Sequence, residues 1–301
     1  MQNPVSISIG IPAHNEEKNI AALLRYLLAQ KSQGFSLEEI IVLSDGSTDE
    51  TAESVQRVID PRIRLVVSDR RKGKCQAQNK IAQMAKGDIL ILLDADVLPK
   101  DNDFIQNIIA PFKHDSRIGL VGANTESVKA RKAFESIIAR SHKAKQILYY
   151  RINGGNNIYL CHGRARAFSR ALYKKIQWPD KLFSEDAFSY LFCLQNGFAF
   201  RFAKDAQVLF RSPNTLKDHL IQSRRFWNDK KNLENYFSPA FVRDNFKIPT
   251  TLMLQELIFS FFRSPLPVMA SLLIAVFSYL SRESAETSEN ELAESSKMVE
   301  I

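Results

Sequence analysis

The segment Asp88-Ile-Leu-Ile-Leu-Leu93 is apolar at every position after the aspartate, with no polar alternation. A strand of that kind is covered on both faces, as in parallel sheets. Its surroundings repeat the same theme. Val5, Ile7, Ile9 and Ile11 alternate as in a strand, and Ile20, Leu23, Leu24, Leu27 and Leu28 then recur at helical spacing. Ile40-Ile-Val-Leu43 is a second apolar run, followed by a helix expected to open at Thr48 or Asp49, both good N-caps. Arg64-Leu-Val-Val67 reads as a third strand, and 74–86 as a helix with Ile81, Met84 and Ala85 on one side. Strands alternating with helices imply an α/β fold built on a mainly parallel sheet flanked by helices. In such sheets ligands sit beyond the carboxyl ends of the strands, which is where chemistry should be sought.

The chain has 301 residues, enough for one large domain or two small ones, and its 45% hydrophobic and 25% charged composition excludes disordered and fibrous classes. Its net charge is +8, yet the stretch 283–301 carries six acidic residues and one lysine, so the rest is more basic still. A basic body suits a phosphate-bearing substrate or an anionic surface. Nucleic acid is not an expected partner, because no RRM, KH or helix-turn-helix signature accompanies the basic residues. Cys75, Cys161 and Cys193 are odd in number and far apart, which argues against a disulfide framework or a zinc ribbon and for a reducing compartment. The N-terminus shows no basic region leading into a long apolar stretch, so no signal peptide is expected. The expected organisation is a catalytic unit over 1–245, divided near 120, then apolar helices over 248–282 and an acidic disordered tail over 283–301.

Four polar clusters follow the four strands: Pro12-Ala-His-Asn-Glu16, Ser44-Asp-Gly-Ser-Thr-Asp49, Arg70-Arg-Lys-Gly-Lys74 and Asp94-Ala-Asp96. Singly, each also fits a turn, a cap or a solvated loop. Together, at successive strand ends, they point to a nucleoside diphosphate. Two carboxylates one residue apart can face one hard cation, and Mg²⁺ or Mn²⁺ binds through one or two carboxylates plus phosphate oxygens. Lys72 and Lys74 can offset diphosphate charge, while Glu16 and Asp45 are acceptors suited to a base or ribose. No G-x-G-x-x-G follows the first strand and no P-loop is present, so neither a dinucleotide fold nor a P-loop NTPase is supported.

These clusters resemble those of the family 2 glycosyltransferases, which have the GT-A fold. The resemblance rests on Ile11-Pro-Ala-His-Asn-Glu16, Asp45-Gly-Ser-Thr-Asp49, Gly73-Lys74 with Asn79, and Asp94-Ala-Asp96. Gly163 with Ala167-Phe-Ser-Arg170 is similar to the acceptor-side segment, Ser184-Glu185-Asp186 to the Thr-Glu-Asp element, and Gln222-Ser-Arg-Arg225 to the Gln-x-x-Arg-Trp element. It covers about residues 5–230. The resemblance implies that Pro12, Asn15, Glu16, Asp45, Lys74 and Asp94 bind the nucleotide sugar, and that Asp94 and Asp96 hold the metal. It implies that Asp186, with Glu185 beside it, is the catalytic base of an inverting transfer, and that Gln222 and Arg225 contact acceptor and diphosphate. It also implies UDP as the nucleotide. Phe226 stands where the family has its Trp, with Trp227 one place later, which separates this chain from the pattern associated with processive synthesis.

Glu185-Asp186 also fits a helix start, where the dipole favours acids, and the segment around Arg224 and Arg225 also fits a basic helix on a membrane surface. The 18 residues Ser264–Ser281 carry no charge but include Pro265 and Pro267, and if helical would reach about 27 Å, short of a bilayer core. A buried core helix and an interfacial, re-entrant or short spanning hairpin are both compatible with this. Arg243, Lys247 and Arg263 precede or interrupt the apolar region, favouring a body on the cytoplasmic face of a membrane and a glycan or lipid-linked glycan acceptor. Two other functions stay open at this level: a non-catalytic sugar-nucleotide or glycan binder, and a nucleotidyltransferase. His114 and His142 are expected at the surface, and His162 beside Cys161 lacks the further ligands of a metal site.

Overall fold

The computed structural model describes residues 4–31, 34–180, 182–263 and 265–280, with the side chains of 224–229 left outside that description. The acidic tail therefore lies outside the described residues. The element order is β1 (Val5–Ala13), α1 (Ile20–Leu28), β2 (Phe35–Asp45), α2 (Thr51–Gln56), β3 (Ile63–Ser68), α3 (Lys74–Met84), β4 (Ile89–Leu93), β5 (Leu98–Pro99), α4 (Phe104–His114), β6 (Ile118–Ser127) and α5 (Ala133–Arg151). It continues with β7 (Ala165–Ser169), α6 (Arg170–Tyr173), α7 (Glu185–Gln195), β8 (Ala199–Phe210), α8 (Leu216–Leu233), α9 (Pro239–Asn245), α10 (Thr250–Arg263) and α11 (Pro265–Leu280).

The strands form one sheet in the order β3-β2-β1-β4-β7-β6-β8-β5. The first four are parallel, as the alternation of strands and helices predicts. Beyond them the sheet is mixed: β7 runs antiparallel to both β4 and β6, and β5 antiparallel to β8, while β6 and β8 are parallel. The reversal at β7 matters for function. It sets the start of β7 beside the carboxyl end of β4, with Ala165 opposite Leu93 and the Asp94 N–H donating to the Arg164 carbonyl at 2.9 Å. Residues 163–165 thus join the strand ends that carry the polar clusters.

β4 is covered on both faces, as its composition requires. Ile89, Ile91 and Leu93 pack into one core with Leu24, Leu27, Phe104 and Ile108. Leu90 and Leu92 pack into a second with Ile81, Phe168, Trp178 and Phe188. β2 begins five residues before its apolar run, because Glu39 interrupts the pattern. That carboxylate is buried and satisfied, accepting from the Ser8 hydroxyl and the Lys86 N–H, each at 2.9 Å, and pairing with Arg64 at 2.5 Å. α2 starts at Thr51 rather than at Thr48 or Asp49. The Thr48 N–H turns instead to Asn15 Oδ1 at 2.8 Å, and Asp49 Oδ1 accepts the Thr51 N–H at 3.0 Å.

α10 and α11 pack against α5, and α11 also touches α8. Arg151 of α5 ties α10 down through Glu256 and, at 3.1 Å, Gln255. They do not form a buried core: Phe259, Phe262, Leu266, Leu273, Val276 and Leu280 are all exposed, Phe262 at 83%. Among the described residues, no helix is long and apolar enough to cross a membrane.

Removing the β4 contribution to the first core has a calculable cost. Ile91→Ala, at a fully buried position, is expected to destabilise the protein by about 2–5 kcal/mol. The check is a lower urea midpoint at unchanged slope; a shift below about 1 kcal/mol would mean that the strand is not packed on both faces.

Candidate active site

The polar clusters meet at the carboxyl edge of β1, β2, β3 and β4, held by a lattice of side-chain to backbone bonds. Asn15 adopts φ 55°, a left-handed conformation that asparagine tolerates, and its N–H donates to Ser47 Oγ at 3.2 Å. The Glu16 N–H donates to Thr51 Oγ1 at 2.7 Å, and Glu16 Oε2 accepts from Asn19 at 2.8 Å. Pro12, next to last in β1 and opposite Leu43, has no N–H to offer the sheet. Asp45 is 4% exposed and acts as an anchor for the basic loop, with Oδ1 accepting the Lys72 N–H at 2.9 Å and Oδ2 the Gly73 N–H at 2.7 Å. Its carbonyl meets His14 Nδ1 at 2.8 Å. Gly46, at φ 61°, leaves room for this loop: a Cβ there would lie 2.3 Å from the Arg71 nitrogen.

The loop delivers Lys74, the first residue of α3, to the end of β4. Its Nζ lies 2.5 Å from Asp94 Oδ1 and 2.6 Å from Glu185 Oε1. Residues 74, 94 and 185 come from separate parts of the chain, so this ion pair joins the polar clusters at the strand ends to the Glu-Asp dipeptide. Glu185 and Asp186 open α7, with Ser184 as N-cap. The Asp186 carboxylate is oriented on both oxygens. Oδ1 accepts the Ala187 N–H at 2.8 Å and the Ser184 hydroxyl, and Oδ2 accepts the Gly163 N–H at 2.9 Å. Gly163 sits close against the dipeptide: a Cβ there would stand 2.8 Å from Glu185 Oε1, so a side chain would have to displace that carboxylate.

The charges of this cluster are strongly interdependent. Burial alone would raise the Glu185 carboxyl, but Lys74 and then Arg166 outweigh it and hold it at about 2. Against the opposing effect of burial, Asp94 and Glu185 raise the Lys74 ammonium above the usual lysine range. Burial and, next, the neighbouring Asp94 push the Asp96 carboxyl up to about 6. Two adjacent carboxylates, one of them short of compensating positive charge, form a donor set that fits a hard divalent cation completed by phosphate oxygens. Among the described residues no group of three or more histidine, cysteine, aspartate or glutamate side chains could hold a metal, so the two aspartates would need those additional oxygens.

Gln222 lies on α8, and among the described residues no hydrogen bond or ion pair links it to Lys74, Asp94 or Glu185. The side chain of Arg225 lies outside the described residues. Arg166 is a site residue that motif reading passes over. It is a fully buried arginine in an otherwise apolar strand, Ala165-Arg-Ala-Phe168, and that interruption is the available signal. Its Nη1 donates to the Glu185 carbonyl at 3.0 Å and to Ser189 Oγ at 2.8 Å. Ser189 Oγ also accepts from Trp178 Nε1 at 2.8 Å, and the Trp178 backbone is bonded to Asn79 in both directions. Asn79 thus braces the underside of the Glu-Asp helix start. His142 is not a free surface residue, since it packs on Phe210 at 5.0 Å and lies 5.9 Å from the His162 ring.

The glycosyl transferase family 2 model matches residues 8–177. Over 119 residues the chain is 33% identical to the poly-beta-1,6-N-acetyl-D-glucosamine synthase of Staphylococcus aureus, covering 39% of this chain and 28% of that protein. It is 25% identical over 273 residues to "Probable glycosyltransferase YdaM" of Bacillus subtilis, covering 87% of this chain and 63% of that one. The chain therefore spans less than two thirds of either relative. Among solved structures, the fold is similar to a mannosyltransferase from Pyrobaculum calidifontis in complex with GDP-Man and Mn²⁺, with a TM-score of 0.62, 20% identity and coverage of 93% of this chain and 81% of that one. It is also similar to glucosyl-3-phosphoglycerate synthase from Mycobacterium tuberculosis in complex with Mn²⁺, UDP and glucosyl-3-phosphoglycerate, with a TM-score of 0.51, 19% identity and coverage of 77% of this chain and 79% of that one.

The half-buried histidine pair is expected to make stability depend on pH. Burial, then its neighbour His162 and the charges of Arg164 and Lys145, hold His142 down at about 2; burial and Arg164 hold His162 at about 3. In the unfolded chain both titrate near about 6.5. Between those values the unfolded state binds more protons, so this contribution is complete above about pH 6.5 and is lost as pH falls towards 3. Urea midpoints at pH 5 and pH 7 should differ less for His162→Gln than for the unsubstituted protein. An unchanged difference would mean that His162 is not buried in its neutral form.

Proposed function

The chain belongs to glycosyl transferase family 2, and on that premise we propose that it is an inverting glycosyltransferase. It moves a sugar from a nucleoside-diphosphate sugar to a hydroxyl of a glycan or lipid-linked glycan. The observation that carries this reading is the meeting of Asp94 with the Glu185-Asp186 dipeptide around Lys74. A donor lying along the strand ends would place its nucleotide by the β1 and β2 clusters, its diphosphate by Asp94, Asp96 and Lys74, and its sugar towards Asp186. In a single displacement, Asp186 takes the proton of the acceptor hydroxyl as that oxygen attacks the anomeric carbon and the bond to the diphosphate oxygen breaks. The bonds from Gly163, Ser184 and Ala187 fix the Asp186 carboxylate in one orientation for that task. Asp94 and Asp96 would hold Mg²⁺ or Mn²⁺, which when bound supplies Lewis-acid stabilisation of the leaving diphosphate. UDP is the proposed nucleotide. The UDP complex of the mycobacterial neighbour supports it, and the GDP-Man complex of the archaeal one makes GDP the comparison to run.

We further propose that α10 and α11 rest on the cytoplasmic face of a membrane, presenting a lipid-linked acceptor to the site. Two helices of 14 and 16 residues reach about 21 and 24 Å, too short to span. Their exposed phenylalanines and leucines suit the acyl boundary, and Arg243 of α9, Lys247 just before α10 and Arg263 at its end suit anionic headgroups.

Release of nucleoside diphosphate from a panel of UDP- and GDP-sugars, with Mg²⁺ or Mn²⁺ and a membrane extract as acceptor, tests the activity. Asp186→Asn should lower turnover by about 10²–10⁴-fold while still binding donor. Full turnover by that variant would remove Asp186 from the base role. Asp96→Ala should lose metal-dependent donor binding, and chelation should stop release in the unsubstituted protein. Donor binding without product for any acceptor would favour a non-catalytic binder, and pyrophosphate as product a nucleotidyltransferase. For the membrane reading, flotation with phosphatidylglycerol-containing vesicles should recover the full chain, and Phe259→Ser with Phe262→Ser should cut partitioning. At about 2 kcal/mol for each phenylalanine the expected loss is about a thousand-fold. Equal flotation of both forms would contradict it.

A further inference from the structure

In this structure the ammonium of Lys74 stands where positive charge is needed at the metal-side aspartate. At 2.5 Å from Asp94 Oδ1 it fills the coordination space of that oxygen, and its second bond, 2.6 Å to Glu185 Oε1, bridges to the Glu-Asp dipeptide. We propose that Lys74 is a positioning residue with two seats: without donor it serves as the counter-ion of Asp94 and Glu185, and when the donor enters it passes to the diphosphate. The inference rests on the donor reading given above and adds to it the order of events at Asp94.

Three features of the structure support a moving lysine. The first is an anchored root and a movable tip. The backbone just before Lys74 is pinned by Asp45 through the Lys72 and Gly73 N–H groups, while the side chain remains 35% exposed and free to swing on its four-carbon stem. The second is a reserve cation. A carboxylate stripped of its partner in a partly buried site would be costly, but Glu185 keeps Arg166, whose Nη2 stands 3.8 Å from Glu185 Oε1. Arg166 is fully buried and fixed through Nη1, and its Nε and Nη2 have no hydrogen-bond partner among the described residues, so donor capacity is in hand when Lys74 departs. The third is charge balance. A divalent cation brings two positive charges to the aspartates as the diphosphate brings two negative ones. Lys74, displaced from Asp94 by the cation, meets new anionic oxygens rather than water, and the site passes from one neutralised arrangement to another.

Two measurements on the full chain test this. In the first, protein carrying ¹⁵N-lysine is followed by NMR of the side-chain ammonium, with the Lys74 signal assigned through Lys74→Arg. A protected Lys74 signal is expected without ligand, moving to a new position with a coupling to phosphorus when Mg²⁺ and UDP, or Mg²⁺ and GDP, are added. In the second, Mn²⁺ binding without nucleotide is measured by electron paramagnetic resonance for Lys74→Met. Removal of the competing ammonium should tighten Mn²⁺ by about five-fold, while UDP or GDP affinity in the presence of Mg²⁺ falls by about ten-fold or more. Opposite signs for the two ligands are the signature. Weakening of both, or unchanged Mn²⁺ binding, overturns the proposal, as does a Lys74 signal that stays in place while nucleotide demonstrably binds. Failure of both nucleotides to bind with Mg²⁺ overturns instead the donor reading beneath it.

Discussion

The ion pair that Lys74 makes with Asp94 and Glu185 is the point on which the site depends. Asp94 ends a strand of the parallel half-sheet, Lys74 opens the helix before that strand, and Glu185 begins a helix some ninety residues later. Carboxylates brought this close in a partly buried cleft repel one another unless a cation stands between them. Burial and, next, Asp94 push the Asp96 carboxyl up to about 6, whereas Glu185, with Lys74 and Arg166 beside it, is held at about 2. A cleft with this imbalance suits the proposed donor, which would bring both a divalent cation and a diphosphate.

The sheet makes the meeting possible by a change of direction. Four parallel strands alone would place their clusters along one edge and leave the second half of the chain elsewhere. Because β7 runs against β4, its first residues return to that edge, and Gly163 can offer its N–H to Asp186. The space there is tight, since a Cβ on residue 163 would stand 2.8 Å from Glu185 Oε1 and could enter only if that carboxylate shifted. Behind this contact, the bonds among Asn79, Trp178, Ser189 and Arg166 lock the helix start in position. The Glu185-Asp186 dipeptide is therefore held from the β4 end by Lys74 and from the core side by Arg166.

Much of this was legible in the amino-acid order, and what was not has physical reasons. The apolar run 89–93 announced a strand covered on both faces, and the alternation of elements announced the parallel half of the sheet. The antiparallel β7 could not be read, because strand direction depends on how the intervening chain packs and leaves no local mark. Asp45 was legible as an acceptor but not as the anchor of the 70–73 loop, since its partners are backbone N–H groups that every sequence carries. Glu39 hid the first half of β2, because a buried carboxylate with three partners looks polar in sequence and structural only in three dimensions. Arg166 was missed for the same reason. His142 was expected at the surface because its helix is polar, yet its ring turns inward onto Phe210.

The most direct test of the central claim is a crystal structure of the Asp186→Asn protein with Mn²⁺ and a nucleoside-diphosphate sugar that this variant binds without turning over. The account predicts anomalous manganese density against Asp94 and Asp96, bridging to the diphosphate, with the sugar's anomeric carbon facing residue 186. A donor bound with its diphosphate away from those aspartates, or with its sugar pointing away from the start of α7, would contradict it.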